Sequence, residues 1–319
     1  MNREKKPISF AAIYRKYGIF LILLLLFVAS ATINSNFLKP QNLINILKQI
    51  SVVTIIACGQ TMLIVSGMID LSAGLVCTMS ACFSAGVLAA TGSITLTFVV
   101  GIGLGMCAGW LNGFLITRYK LQPFIATLAM TNIAQGITQI YTNGQAVGGV
   151  EKIRFLGQGN IIGIPMPVIV MLLAVGVIAY VMKYTTLGVR IYAIGGNEKA
   201  TIASGINTNR SKRIIFTISG ALVGLAGVVL MARLMSGQPS VGAGYEFDAI
   251  TAVIVGGTSF SGGIGTVIGA LIGSIIVGLI NNILNLLHVS TQYQLIVKGL
   301  LIAGAVIVDV KSKENKKAS

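Results

Sequence analysis

Long apolar runs separated by short polar breaks dominate the chain. Gly18 to Leu38 and Leu121 to Gly149 contain no Asp, Glu, Lys or Arg. Ile22-Leu-Leu-Leu-Leu-Phe-Val-Ala29 lies inside a run long enough for a bilayer, which takes about 20 residues as a helix. Reading each run to its nearest break predicts ten helical crossings, at residues 18–33, 43–65, 72–91, 94–117, 124–142, 164–182, 213–232, 247–257, 266–287 and 293–309. The eighth is short. The breaks carry turn chemistry, as in Asn34 to Asn42 with Pro40, Gly92-Ser93, Ser236 to Gly244 and Gly256 to Gly263. No sustained apolar/polar alternation marks a β-barrel. The predicted class is an all-α polytopic membrane protein of about ten transmembrane helices, with no independent soluble domain.

Charge orients this bundle. The chain is 55% hydrophobic and 10% charged, with a mean hydropathy of +0.87 and a net charge of +15. Basic residues cluster at Arg3 to Lys16, at Arg118 and Lys120, between Lys183 and Arg213, and at Lys311 to Lys317. Ten crossings put seventeen of the 23 Lys and Arg on one side, the pattern of cytosolic loops. Both termini are then expected in the cytosol, with tails at 1–17 and 310–319. The first apolar run is too long for a signal-peptide core and is read as a retained anchor. No aromatic-interleaved basic patch accompanies the charge, so nucleic acid is not an expected partner. The lipid bilayer is.

One polar stretch stands out, Tyr192-Ala-Ile-Gly-Gly-Asn-Glu-Lys-Ala-Thr-Ile-Ala-Ser-Gly-Ile-Asn207. It lies in an expected cytosolic segment, 183–212, bracketed by Lys183, Arg190, Arg210, Lys212 and Arg213. Gly195-Gly196 is read as a break. Asn197 can cap a helix by accepting from a first-turn amide. Glu198 puts negative charge at the positive end of the helix dipole. Gly205 suits a left-handed terminating position. About two turns result, too few to be stable without further contacts. Local chemistry leaves two readings, a partner-docking helix or an ordered loop packed on its own domain.

Acidic residues are few. Asp70 lies between the second and third crossings and reads as a helix cap at Leu71, with a gate residue as the alternative. Glu246 and Asp248 open the short eighth crossing, where the same cap logic competes with a gating or receptor-contact role. Glu151, beside Lys152 and Arg154, is expected to be solvated, and Asp309 to be an interfacial anchor. Gln60, Thr61, Asn132, Gln135, Gln139, Asn281, Asn282 and Asn285 lie within spans. They suit either a wet pathway or interhelical hydrogen bonding. Cys58, Cys77, Cys82 and Cys107 all fall in apolar spans and read as buried free thiols. No metal-ligand spacing, phosphate loop or HExxH motif is present, and His288 is the single histidine. Catalytic residues, metals and cofactors are therefore not expected in this chain.

These motifs together resemble the permease subunits of bacterial ATP-binding-cassette importers for monosaccharides, most closely the ribose type. The resemblance runs from about Asn36 to Asp309. It is carried by Ser66-Gly-Met-Ile-Asp-Leu-Ser-Ala-Gly74, Phe124-Ile-Ala-Thr-Leu128, Ile140-Tyr-Thr-Asn-Gly144, Tyr192-Ala-Ile-Gly-Gly-Asn-Glu198 and Ser204-Gly-Ile-Asn207. Gly244-Tyr-Glu-Phe-Asp-Ala249, Gly256-Gly-Thr-Ser-Phe-Ser-Gly-Gly263, Asn281-Asn282 and Tyr293-Gln-Leu-Ile-Val-Lys298 complete it. It implies a single permease domain over 1–319, a type II importer-like fold with two inverted halves, in the bacterial inner membrane. It also implies a second permease copy, a cytosolic ATPase that binds ATP and Mg, and an extracytoplasmic sugar-binding protein.

The resemblance makes Gly195, Gly196, Asn197, Glu198, Ala200, Ser204, Gly205 and Ile206 the coupling segment. Pathway or gate candidates are Gln60, Asp70, Asn132, Gln135, Asn281 and Asn285. Asn143, Glu151 and Glu246 are candidates to face the receptor, and the compact Gly/Ile-rich loop after Gly144 departs from the ribose pattern. The competing expectation is an ion- or proton-coupled secondary transporter, which would bury paired ionisable groups near the midplane. The scarcity of acids deep in spans speaks against it. A purely structural scaffold would not explain the capped helix.

Overall fold

The computed structural model describes residues 10–317. Its helices, in chain order, are α1 (Phe10–Ile33), α2 (Pro40–Val65), α3 (Ala73–Thr91), α4 (Ile94–Arg118), α5 (Pro123–Thr142) and the short α6 (Arg154–Gln158). They continue with α7 (Met166–Tyr184), α8 (Thr186–Ala203), α9 (Thr208–Leu234), α10 (Tyr245–Val255), α11 (Val267–Leu286) and α12 (Thr291–Lys317). Side-chain caps start several of them. Ser93 accepts from Leu96, Thr185 from Gly188, Asn207 from Arg210 and Thr266 from Gly269. Pro occupies the first turn of α2, α5 and α7, where its missing N–H leaves no bond unmade.

The fold is mostly helical, and six described helices are long and apolar enough to cross a bilayer: α2, α3, α4, α7, α9 and α11. α1 adds the shorter apolar stretch Gly18–Ile33. Expected and observed boundaries agree closely except at the ends of the bundle. α1 starts at Phe10 and α12 runs to Lys317, so helix extends into both expected tails. Residues 1–9 and 318–319 of those tails lie outside the described residues, as does the side chain of Asp309. The all-helical expectation needs one small correction. Asn160–Ile161 and Ile164–Pro165 pair as a two-residue hairpin, with Ile162 and Gly163 at φ of 51° and 80°. Two consecutive positive φ values form the tight turn whose twist matches a hairpin.

α2 sits at the centre. It is buried on every side from Ile50 to Val65, as an apolar-all-round helix must be. α9 packs against it, α11, α7 and α10 cover its other sides, and both α3 and α4 lie on α9. The α4–α9 pair is the most extensive helix contact in the bundle. Gly101, Gly105, Gly109 and Gly113 recur every fourth residue on α4. A Cβ on Gly105 would fall 2.1 Å from the Gly220 carbonyl oxygen, and one on Gly220 would fall 2.2 Å from that of Gly105. Gly224 faces Gly101 in the same way, at 2.3 Å. The backbones therefore touch, and small residues supply the attraction that lipid cannot.

The short α10 differs most from an ordinary crossing. Its 11 residues span about 16 Å, half a bilayer core. The break before it, Ser236 to Gly244, folds back along α3. Gly237 packs on Cys82 and Ala85, and the Gly242 N–H donates to Thr78 Oγ1 at 3.1 Å. α10 thus begins inside the bundle, beside the first turn of α3.

Gly105→Leu is expected to overpack the α4–α9 seam, costing about 1–3 kcal/mol or more and lowering the melting temperature in detergent by several degrees. Gly103→Leu serves as its control, because Gly103 is exposed and a Cβ there meets nothing within 4 Å. Equal melting of both variants would remove the seam as a stability determinant.

Candidate functional site

Two polar centres emerge, one at the end of the bundle that carries α8 and one buried inside it. At the first, α8 is kinked. Asn197 takes φ −160° and ψ 99° between two helical stretches. Its Oδ1 accepts from the Ala200 N–H at 3.0 Å, the N-cap bond that its chemistry predicts. The second stretch ends as Gly205 reaches φ 81°. Gly205 N–H donates to Ile202 and Ile206 N–H to Thr201, so the last carbonyls are satisfied in a Schellman arrangement. Gly196, Asn197, Lys199, Ala200, Ile202, Ala203, Ser204 and Gly205 are exposed, whereas Thr201 is buried. Ile202 leaves 55% of its surface open.

The glycine pair does not break the helix as expected. Helix continues through Gly196, and the break falls at Asn197. Gly195 instead permits a crossing of backbones. A Cβ there would lie 1.8 Å from the Val65 carbonyl oxygen and 2.6 Å from the Gly263 nitrogen. Gly263 N–H donates to that same Val65 carbonyl at 2.8 Å. Tyr192 Oη donates to the Gly265 carbonyl at 2.7 Å, and partial burial raises its pKa, which keeps the proton on the donor. Three segments, the end of α2, α8 and the 256–265 turn, are pinned at one point. Beside them opens a polar cavity of about 450 Å³, lined among others by Ser66, Lys120, Gln122, Glu198, Asn209 and Lys212. Glu198 crosses it to Lys212 Nζ at 2.6 Å, tying the capped helix to the first turns of α9. Across α9, Arg213 Nε donates to Thr117 Oγ1 at 2.6 Å, and its guanidinium lies over the Phe114 ring.

The buried centre surrounds the first turns of α3 and α10. Asp70 is 2% exposed. Its Oδ1 accepts from the Ser72 N–H at 2.8 Å and from the Ser72 hydroxyl. The helix starts at Ala73 rather than Leu71, so Ser72 holds the N-cap position and Asp70, two residues before it, bonds to Ser72 rather than to a first-turn amide. Gln60 Nε2 donates to the Asp70 carbonyl, and Asn112 Nδ2 to the Ser72 hydroxyl. Glu246 is buried and folds back on its own helix, accepting from the Gly244 N–H and lying against Gly74. The expectation that Glu246 faces a receptor is corrected, because its carboxylate points into the bundle where only a glycine leaves room.

Asp248 is also buried, held by Lys298 Nζ at 2.9 Å and by Asn281 Nδ2 at 3.3 Å. Three carboxylates thus lie deep in the bundle, which corrects the premise that deep acids are scarce. The break between α2 and α3 places Asp70, and the re-entrant path of residues 235–244 brings in Glu246 and Asp248.

The other candidates fall elsewhere. Asn132, Gln135 and Gln139 are exposed on α5, whose buried face is Ala126, Met130, Ala134 and Thr138. Asn285 is exposed and accepts from Gln294 Nε2 at 2.9 Å. Asn282 pairs with Asn42, a buried hydrogen-bonding tie rather than a wet surface. Asn143 and Glu151 are exposed at the opposite end from α8, Asn143 with φ of 49° after α5. Cys58, Cys77 and Cys82 are buried, but Cys107 is exposed on α4, contrary to expectation. Among the described residues no cluster of His, Cys, Asp and Glu could hold a metal. Lys298 and Asn112 were not singled out from the sequence. Lys298 reads there as one charge in an apolar run, and that cost is itself the signal that could have marked it.

Residues 42–306 match the family described as "Branched-chain amino acid transport system / permease component". The chain is 43% identical over 314 residues to the ribose import permease protein of Bacillus subtilis, covering 98% of each chain. The ribose import permease protein of Escherichia coli K12 is 41% identical over 296 residues, 91% of this chain and 92% of its own. The D-allose transport system permease protein of Escherichia coli K12 is 38% identical over 310 residues, 96% and 95% respectively. No solved structure matches. With crossing-length helices and this full-length likeness, the chain is an integral membrane protein and belongs to this family of transport-system permeases.

Proposed function

We propose that the chain is the membrane permease subunit of an ATP-binding-cassette importer for a monosaccharide, with ribose the first candidate. The observation that carries the ATP-driven reading is the capped helix Asn197–Ala203, exposed along most of its length yet fixed at both ends. The sugar rests on the ribose, allose and arabinose permeases among its relatives, which match over nearly their whole length, although the family description names amino acids. In this reading Gly195, Gly196, Asn197, Glu198, Ala200, Ser204, Gly205 and Ile206 form the coupling surface on the cytosolic side. A separate ATPase subunit docks there and supplies ATP and Mg, while this chain performs no catalysis and holds no cofactor. An extracytoplasmic binding protein delivers the sugar to the end bearing Asn143 and Glu151. The complex lies in the bacterial inner membrane, with both termini cytosolic.

Ten crossings in two inverted halves fit the packing. α4 on α9 has its counterpart in α11 on α2, and α3 on α9 in α10 on α2. α3 with α4 and α5 repeats as α10 with α11 and α12. A helix starting inside the bundle therefore occurs once in each half. The exposed polar stripe Asn132, Gln135 and Gln139 on α5 supports a pathway between two copies of the chain, completed by the partner's surface. Asp70 and Gln60 then sit behind that pathway as a fixed support of α3, with Asn281 and Asn285 behind and beside α12. The secondary-transporter reading is disfavoured by family membership, since the buried carboxylates no longer argue against it.

The test is co-reconstitution in liposomes with an importer ATPase subunit and a ribose-binding protein. ATP-dependent ribose uptake is expected. Uptake by this chain alone under a proton gradient would overturn the proposal. In the same assay Glu198→Ala is expected to leave membrane insertion unchanged, since a part-exposed ion pair contributes about 0–1 kcal/mol. Sugar-stimulated ATP hydrolysis should nevertheless fall several-fold, and Ile202→Glu, on the exposed face, should weaken ATPase association. Wild-type coupling in both variants would reject the assignment of this helix.

A further inference from the structure

The Asp248–Lys298 pair lies away from the α8 crossing, yet a continuous path joins the two. Lys298 Nζ sits 2.9 Å from each carboxylate oxygen of Asp248, whose side chain is 5% exposed. Asn281 donates to the same carboxylate, while its own Oδ1 is buried and has no partner. α10 is the element on which α12 packs most. Elsewhere α12 exposes Tyr293, Leu295, Ile296 and Leu300. Beyond its first turn, where Gln294 donates to Asn285 and to the Val289 carbonyl, the ion pair is the polar attachment that the described side chains give a loosely held helix. At the matching place in the other half, Thr131 on α5 donates to the Leu71 carbonyl at 3.0 Å, a neutral bond doing the same job.

Stability does not explain the charges. The desolvation of a buried ion pair roughly offsets its attraction, and an apolar pair of similar volume is often as stable or more so. A lysine within an apolar helix carries an additional penalty in a bilayer. What the pair does supply is register, because the two charges meet at only one alignment of α12 on α10. From Asp248 to Val255 α10 is a rigid rod about 10 Å long. Its far end runs into the 256–265 turn, held to Val65 through Gly263 and to Tyr192 through Gly265.

We propose that Lys298 is a positioning residue for transport: through Asp248 it makes α12 follow α10, so that displacement at the α8 crossing reaches the outer half of α12. This rests on the ATP-driven reading of the α8 helix. Breaking the pair should then separate ATP hydrolysis from solute movement rather than unfold the chain.

The test compares Lys298→Met, Lys298→Arg and the double variant Asp248→Asn with Lys298→Met, each in the full complex with ATPase and ribose-loaded binding protein in liposomes. The readouts are ribose imported per ATP hydrolysed and the melting temperature of each complex. Lys298→Met is expected to lower import per ATP at least five-fold, and Lys298→Arg to stay within two-fold of wild type. The double variant removes both charges, so its melting temperature should return toward wild type while import per ATP stays low. A double variant with the wild-type ratio would overturn the proposal, since the pair would then serve only packing. So would a double variant that fails to fold, since the pair would then be a folding requirement. A wild-type complex without ATP-dependent uptake would remove instead the reading on which the proposal rests.

Discussion

The bundle depends on backbone meeting backbone. At the α4–α9 seam, and again where Gly195 crosses Val65 and Gly263, main chains approach to distances that any Cβ would forbid. In a bilayer, packing must come from such close contact, because lipid is as apolar as the side chains it would replace. The seam makes α4 and α9 one body, and the crossing binds α8 to the end of α2 and to the turn leading into α11. Motion at the α8 end is therefore not absorbed locally. It must appear as rigid displacement of helices, or be taken up where the packing is looser, as at α12.

The second constraint is the burial of helix starts. α3 and α10 both begin inside the bundle, where unpaired first-turn N–H groups would be costly without partners. Asp70 and Glu246 secure the approach to these starts, accepting from the N–H of Ser72 and of Gly244, the residues just before α3 and α10. The acids that look like gate residues in the sequence are in the first instance ties that fix the backbone entering a helix.

Much of this was legible in the chain. The helix boundaries followed from charge-free runs and turn residues. The Asn197 cap and the Gly205 terminator were readable because capping is local chemistry, decided within five residues. What stayed hidden was long-range. The return of residues 235–244 along α3 leaves no periodic mark, so Glu246 read as a cap or a receptor-facing acid. The preceding helical turns of α8 were missed because Gly195-Gly196 carries a poor helix propensity, which tertiary contact overrides. The spacing of Gly101, Gly105, Gly109 and Gly113 was visible, but its mate on α9 could not be identified without the fold. Cys107 read as buried because composition alone does not separate a lipid-facing thiol from a packed one.

The double capping of the Asn197–Ala203 helix has a thermodynamic corollary. A segment of this length in free solution is mostly unfolded and would have to order itself on meeting a partner. Here the side chain of Asn197 and the Schellman bonds at Gly205 have already fixed it, and the Gly195 crossing sets its direction. Association therefore begins from a preorganised knob, and little of the contact energy is lost to ordering. Such a surface can bind and release with modest contact area, which suits the coupling role proposed for it.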